Sequence, residues 1–221
     1  SAVSRGLGDV YKRQPPHEAV ALLRNAGLRR AFVSSSSDEG TRKLYAIAPD
    51  LIVPVLRPYR ARGETGTWMN DPSVVPMLRD LLARNTYAGI GEFHIFGKAA
   101  DGPVMREVVA LAKQYEIFLH AHSDADAVRR IFEQDPQARV LWAHSGFDTP
   151  EIVAEMLGEY ENLWADLAFR TDHADSDSVD PEWREVFLAY PDRFMIGTDT
   201  YTPERWYFVG EHAAWSRGWI G

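Results

Sequence analysis

Residues 116–144, EIFLHAHSDADAVRRIFEQDPQARVLWAH, contain the pattern of a strand, a helix and a second strand in that order. Residues 116–120 are a short, largely apolar run that predicts a buried strand, and residues 139–143 predict another. Between them, residues 123–132 predict a helix that opens with a Ser-x-x-Asp capping box. Two strands joined by a helix are typical of a parallel sheet, because the crossover returns the chain to the same sheet end. The segment therefore indicates an α/β fold.

The same alternation continues in both directions along the chain. Strands are predicted at residues 30–33, 51–56, 88–95, 116–120, 139–143, 162–165 and 193–197, each separated from the next by a helical pattern. An open Rossmann-type sheet and a closed barrel both fit this alternation, but the Gly89-Ile90-Gly91 run lacks the third glycine of a dinucleotide-binding loop. Seven strands, preceded by a helix that opens at Pro15, predict an α/β TIM (β/α)₈ barrel lacking its first strand.

The first fourteen residues are treated separately. The string SAVSRGLGDVYKRQ, residues 1–14, shows neither helical nor strand periodicity and resembles a translated sequencing adapter. We therefore expect a non-native segment at 1–14 and a single barrel domain at 15–221 that is incomplete at both ends. We expect a cytoplasmic location, and a signal peptide stays open because the native N-terminus is inferred to be missing.

Composition restricts the classes of partner. The 221 residues carry a net charge of −8 and contain no basic cluster, which argues against a nucleic-acid surface. No apolar run is long enough for a membrane span. The absence of cysteine excludes disulfides, thiolate nucleophiles and zinc–cysteine sites. We expect a small-molecule substrate and no nucleic-acid or membrane partner, and leave open whether the chain forms a homo-oligomer.

Polar side chains gather at the ends of the predicted strands. His94, His120, His122 and His144 lie at the C-terminal ends of three strands, and Asp199 follows the last strand. In a parallel barrel these ends meet at one mouth, where active sites lie. Imidazole and carboxylate groups together suit a divalent ion such as zinc. Each residue alone has an ordinary alternative: a hydrogen-bonded structural histidine, or an aspartate that caps a helix or turn.

Three segments carry a resemblance to a known family. Residues 118–123 (FLHAHS), 140–147 (VLWAHSGF) and 194–200 (FMIGTDT) resemble the later strands of the amidohydrolase superfamily. The likeness is greatest to the branch containing aminocarboxymuconate-semialdehyde decarboxylase and related hydrolases. It covers roughly residues 28–200 in order and spacing, and it implies a metal-dependent barrel enzyme.

The resemblance assigns roles to three residues. His120 matches the metal ligand of the family's fifth barrel strand. His144 matches the sixth-strand histidine, which activates water or polarises the substrate in single-metal members and is a ligand in two-metal members. Asp199 matches the eighth-strand aspartate, which is both a ligand and the proton acceptor from the nucleophilic water.

Other positions near the mouth are less closely matched. Glu92 falls where some relatives place a carboxylate or carbamylated lysine, and it is a catalytic candidate. His94 and His122 alternate with Glu92 and His120 on their strands, so either is an extra ligand or an orienting residue. Asp166 either orients a ligand or caps a turn. The family's first strand ends in a His-x-His pair, and no such pair precedes residue 28.

Candidates for substrate binding come from the loops. Arg57 and Arg170 follow strands and could hold a carboxylate or phosphate, although surface salt bridges explain them equally well. Trp68 is a candidate substrate-binding wall. The other aromatic candidates for the pocket wall are Tyr59, Phe147, Tyr201 and Trp206.

Three functions are consistent with these residues. The leading hypothesis is a metal-dependent hydrolase in which a metal-activated water attacks a C–N or C–O bond of a small molecule. A decarboxylase could use the same scaffold, with an arginine holding the substrate carboxylate. The third alternative is an inactive fragment or a non-catalytic binding barrel.

Overall fold

A computed structural model describes residues 2–4, 6–7, 15–170, 178–200 and 203–220. Its strands are β1 (Ala2–Ser4), β2 (Gly6–Leu7), β3 (Arg30–Ser35), β4 (Ile52–Leu56), β5 (Gly89–His94), β6 (Phe118–His122), β7 (Val140–Trp142), β8 (Leu163–Asp166) and β9 (Phe194–Gly197). Its helices are α1 (Pro16–Asn25), α2 (Glu39–Ile47), α3 (Val74–Arg84), α4 (Pro103–Gln114), α5 (Ala125–Gln134), α6 (Pro150–Glu159), α7 (Pro181–Ala189), α8 (Pro203–Tyr207) and α9 (Val209–Ile220). Within these ranges no helix is both long and apolar enough to cross a membrane.

The seven strands β3 to β9 form one parallel sheet in sequential order. All seven coincide with predicted strands, and a helix follows each one. A Rossmann-type sheet reverses its strand order at a switch point, whereas this order never reverses within β3 to β9. The predicted α/β barrel architecture is confirmed.

The ring is closed at the position of the missing first strand. Val3 of β1 pairs with Ala31 of β3 on one side and with Ile196 of β9 on the other. The strand β2 adds a further short pairing to β3. Strand structure therefore occurs within residues 1–14, where periodicity predicts none. The physical reason is that β3 and β9 would otherwise present unpaired backbone edges, and strands this short carry no readable alternation.

The strands are buried on both faces, as expected where helices cover a parallel sheet. Their fully buried residues include Val33, Ile90, Leu119 and Val140, none of which exposes any more than 1% of its surface. The helix α5 shows how the surrounding layer is attached, since it buries one apolar face, with Ala127, Val128, Ile131 and Phe132. This packing fixes the strand ends, and therefore the loops that carry polar residues.

The predicted cap of α5 is wrong by one residue. The N-cap is Asp124, whose carboxylate accepts a hydrogen bond from the Ala127 backbone amide at 2.9 Å and from that of Gly97 at 3.0 Å. Ser123, the predicted cap, is buried beneath the turn, and its carbonyl accepts a hydrogen bond from Trp142 Nε1 at 2.7 Å. Sequence spacing alone does not distinguish two adjacent capping residues.

Candidate metal and catalytic site at the barrel mouth

An irregularity in β5 directs Glu92 into the mouth. The pairing of β5 with β6 shifts register between Gly91 and Phe93, which leaves Glu92 outside the ladder as a bulge. Gly91 has φ 143°, and a Cβ at this position would lie 2.3 Å from the carbonyl oxygen of His120. Only glycine fits so close to the neighbouring backbone. The glycine therefore allows the bulge, and the bulge places the carboxylate.

Glu92 is the centre of a buried charge network. Its Oε1 lies 3.0 Å from His122 Nδ1 and 3.5 Å from His144 Nε2, and its Oε2 lies 3.4 Å from an Arg57 guanidinium nitrogen. Burial opposes the charge of Glu92, but hydrogen bonds from His122 and His144 outweigh it and hold the pKa well below its usual range. Glu92 is therefore a carboxylate at neutral pH.

Two histidine rings stack beside this carboxylate. The rings of His94 and His122 have centroids 4.0 Å apart at an interplanar angle of 26°. His94 Nδ1 lies 3.2 Å from the hydroxyl of Tyr59, and the His94 carbonyl accepts a hydrogen bond from Trp68 Nε1 at 2.9 Å. Burial and the neighbouring His122 lower the pKa of His94 to about 3, so its imidazole is neutral at physiological pH.

His144 lies in a tight left-handed turn after β7. His144, Ser145, Gly146 and Phe147 all have φ between 50° and 66°. A Cβ at Gly146 would lie 2.2 Å from the Trp142 ring, so glycine is required there. Nearby acceptors and donors hold the turn: Asp166 Oδ1 accepts from the His144 amide at 3.0 Å, and an Arg170 nitrogen donates to the His144 carbonyl at 3.2 Å.

Two groups at the mouth have pKa values well above their usual ranges. For His144, burial opposes protonation, but the interaction with Glu92 and the charge of Asp166 outweigh it and raise the pKa to about 9. For Asp199, burial and the charge of Glu92 raise the pKa to about 7. His144 is therefore cationic at neutral pH, while Asp199 is close to half-protonated.

His120, His144 and Asp199, the three residues to which the family resemblance assigns roles, lie in one region but do not form one compact cluster. His120 Nε2 contacts Asp166 Oδ2 at 3.4 Å, and the other oxygen of that carboxylate holds the backbone of His144. Asp199 interacts electrostatically with His144. In the described part of the chain, the group whose donor atoms all lie within 4.8 Å of one another is Glu92, His94 and His122. It includes none of His120, His144 and Asp199.

A cavity of about 370 Å³ opens onto these groups. It is lined by Arg57, Tyr59, Arg62, Thr65, Glu92, His94, His122, His144, Phe147, Phe169 and Asp199. The residue pattern did not indicate Arg62, Thr65 or Phe169, because these positions lie on loops without periodicity. For Arg62, the sequence offers one indication, which is its position within the polar loop 57–70.

Other predicted pocket residues lie elsewhere. Trp68 is buried behind His94, and Arg170 supports the turn after β7, with its guanidinium 4.7 Å from the Trp183 ring centroid. Neither lines the cavity. Trp206 is buried in the apolar core beside α1. Tyr201 lies outside the described residues.

Comparison with solved structures identifies the fold. An uncharacterised TIM-barrel protein from Bordetella bronchiseptica matches with a TM-score of 0.63 and 11% identity, over 99% of this chain and 91% of that one. A zinc-bound amidohydrolase from Burkholderia multivorans matches with a TM-score of 0.62 and 12% identity, over 98% and 90% of the two chains.

A third likeness is to a protein from Acinetobacter baumannii assigned as a 2-pyrone-4,6-dicarboxylic acid hydrolase, crystallised with citric acid. Its TM-score is 0.58 and its identity 9%, over 98% of this chain and 93% of that one. No family model and no curated sequence matches the chain. The chain thus has the barrel fold of these proteins.

Proposed function

We propose that the chain is a metal-dependent hydrolase that cleaves a C–N or C–O bond, as in an amide, ester or lactone, of a small molecule. The observation that carries this proposal is the clustering of Glu92, His94 and His122 within 4.8 Å in the wall of a cavity. His144 and Asp199 line the same cavity, and their pKa values are raised to about 9 and about 7. A ligand set and a proton-transfer pair therefore face one space.

The protonation states of the cluster fit a divalent ion. A ligand must offer a lone pair, and Glu92 is ionised while His94 is a neutral imidazole at neutral pH. Two imidazoles and one carboxylate form a donor set that suits zinc. When bound, such an ion supplies Lewis acidity that lowers the pKa of a water molecule towards about 7. The zinc in the Burkholderia multivorans amidohydrolase supports the choice of metal.

Asp199 and His144 have complementary roles in the proposed reaction. Asp199, with a pKa of about 7, accepts a proton from the attacking water as the water oxygen bonds to the substrate carbonyl carbon. Asp199 then returns that proton to the leaving nitrogen or oxygen as the C–N or C–O bond breaks. His144 Nδ1 lies 3.1 Å from the Ala168 carbonyl, an acceptor that fixes the ring and leaves Nε2 toward the cavity side, near Glu92. The cationic Nε2–H then donates to the substrate oxygen as negative charge develops there.

Metal analysis and activity together test this function. The purified chain is stripped with chelator, reloaded with zinc and dialysed, and its metal content is measured by mass spectrometry. We expect one strongly held ion per chain and zinc-dependent hydrolysis of some member of a panel of esters, lactones and amides. His122→Ala should lower zinc affinity at least about tenfold and abolish hydrolysis, because it removes a donor.

His212→Ala provides the matched control. His212 lies on α9, where its ring stacks against Phe208 and Trp215, and it does not line the cavity. This variant should retain zinc and activity. Absence of zinc binding, or equal activity in His122→Ala and the parent, would refute the proposed function. Zinc binding without turnover would favour a binding barrel.

A decarboxylase is the second candidate, and the position of Arg57 favours it. Arg57 lines the cavity, and its guanidinium is already beside one carboxylate, that of Glu92, at 3.4 Å. A substrate carboxylate could bind to the same guanidinium. Release of carbon dioxide from unsaturated or aromatic acids, measured alongside the ester and amide panel, separates this reaction from hydrolysis.

A further inference from the structure

We infer that Tyr59 is a positioning residue that fixes the tautomer of His94, so that Nδ1 carries the proton and Nε2 presents its lone pair. The role of this tautomer rests on the proposed function, because the lone pair of His94 Nε2 is needed when an ion binds. The tautomer itself is a property of the metal-free chain. It follows from hydrogen-bond geometry in the wall of the cavity.

The Tyr59 hydroxyl carries a single hydrogen and lies near two possible partners. That hydroxyl lies 2.9 Å from the backbone carbonyl oxygen of Glu92 and 3.2 Å from His94 Nδ1. A carbonyl oxygen can only accept, so the hydroxyl hydrogen must point to Glu92. The contact with Nδ1 is then a hydrogen bond only if His94 donates an N–H to the phenol oxygen. Both contacts are satisfied together in one tautomer of His94.

Burial keeps His94 in this tautomer. Tyr59 exposes 2% of its surface, so solvent does not replace either contact. The Arg57 guanidinium lies 5.3 Å from the centroid of the Tyr59 ring and restricts it further. The backbone of His94 is held separately by Trp68 Nε1. The ring of His94 is therefore constrained through Nδ1, and its Nε2 is left for another partner.

The neighbouring histidine also directs its Nδ1 to a protein acceptor. His122 Nδ1 lies 3.0 Å from Glu92 Oε1, and an ionised carboxylate can only accept, so this nitrogen also carries a proton. In the metal-free chain both stacked rings thus direct Nδ1 toward a protein acceptor. Histidines that ligate metals commonly donate their second nitrogen to a protein acceptor in this way.

Nitrogen NMR tests the tautomer directly. Metal-free chain labelled with ¹⁵N-histidine, at pH 7.5, is measured by long-range ¹H–¹⁵N correlation, and we expect His94 in the Nδ1–H form. Tyr59→Phe should shift His94 toward the Nε2–H form and weaken zinc binding by about 10- to 100-fold, the range usual for loss of an orienting partner. Tyr87→Phe is the control: its hydroxyl bonds Asp38, so neither the His94 signals nor the zinc affinity should change.

The parent spectrum keeps the test decisive even if Tyr59→Phe fails to fold. An Nε2–H form of His94 in the parent chain would overturn the inference, and so would an unchanged Nδ1–H form in folded Tyr59→Phe. If the parent binds no zinc but Tyr59→Phe changes the tautomer as expected, the inference about Tyr59 stands while the proposed function fails. The two failures are therefore distinguishable.

Discussion

Buried charges of both signs meet within a few ångströms at the barrel mouth. Glu92 is surrounded by Arg57, His122 and His144, and removing any one of these donors would leave a less compensated buried carboxylate. Asp166 plays a similar part for His120 and His144. Glu92 and Asp166 each hold more than one partner, and this linkage suits a site that must keep donors in fixed positions.

Asp199 lacks comparable compensation, and its replacement should stabilise the metal-free chain at high pH. Its folded pKa, about 7, is above the unfolded value, so the folded chain binds the extra proton between about pH 4 and 7. The stability that this group contributes is complete below about pH 4 and is lost as pH rises through 7. Asp199→Asn should therefore match the parent near pH 4 and exceed it at pH 8 by on the order of 2–4 kcal/mol.

Urea unfolding of both metal-free proteins at the two pH values measures this difference. The parent at each pH is the reference, so pH effects shared by the two chains cancel. A stability difference that is the same at pH 4 and pH 8 would show that Asp199 does not titrate as described.

At the residue level, sequence predicts which types of side chain meet but not which atoms cluster. His120, His144 and Asp199 follow from strand ends, and the structure brings all three to one mouth. Which donors lie within reach of one ion depends on the bulge at Gly91, a change of register that residue types do not reveal. The role of Tyr59 depends on a backbone carbonyl as its second partner, which no side-chain pattern encodes.

At the scale of elements, the bulge in β5 should be highly sensitive to a methyl group. Gly91→Ala would place Cβ 2.3 Å from a backbone oxygen at φ 143°, so β5 or β6 must move. We expect a loss of at least about 2 kcal/mol of unfolding free energy, together with weaker zinc binding. Chemical denaturation and zinc titration measure the two effects.

Gly63→Ala is the matched control for this change. A Cβ at Gly63 meets nothing within 4 Å, so we expect a change within about 1 kcal/mol. Equal stability of the two variants would mean that the close approach at Gly91 is not a real constraint.

The N-cap of α5 should contribute measurably to the stability of the chain. Asp124→Ala removes the acceptor for two backbone amides, those of Ala127 and Gly97, and should cost about 1–2 kcal/mol. Ser123→Ala should cost less, because the hydroxyl of Ser123 has no hydrogen-bond partner among the described residues. Thermal unfolding of the two single variants ranks them. If Ser123→Ala were the more destabilising variant, Ser123 would be the N-cap, as the Ser-x-x-Asp pattern predicts.

At the scale of the whole molecule, ring closure depends on β1. Val3→Pro removes a backbone N–H from a strand that lies between β3 and β9. We expect a loss on the order of 1–3 kcal/mol and increased self-association, because two strand edges become available. Unfolding curves and light scattering measure these effects. Val3→Thr keeps a β-branched residue and should behave like the parent, and a parent-like Val3→Pro would mean that β1 contributes nothing to closure.

The architecture was predictable from the sequence because its signal is repeated. Each of the seven strands β3 to β9 is a short apolar run followed by a helical pattern, and a single misread element would not have changed the conclusion. Closure by β1 was not predictable in the same way. Three residues carry no measurable alternation, and their strand conformation is imposed by neighbours that are distant in the sequence.

The pairing of β1 with β9 also determines when the ring can close during synthesis. Each strand from β4 to β9 can join its neighbour soon after leaving the ribosome, since sequential strands are adjacent in the sheet. Val3, by contrast, pairs with Ile196, a residue that lies far from it in the sequence. The ring therefore stays open until β9 has been made. Non-local contacts of this kind form slowly, so nascent chains should depend on protection of the open edge until β9 has paired with β1.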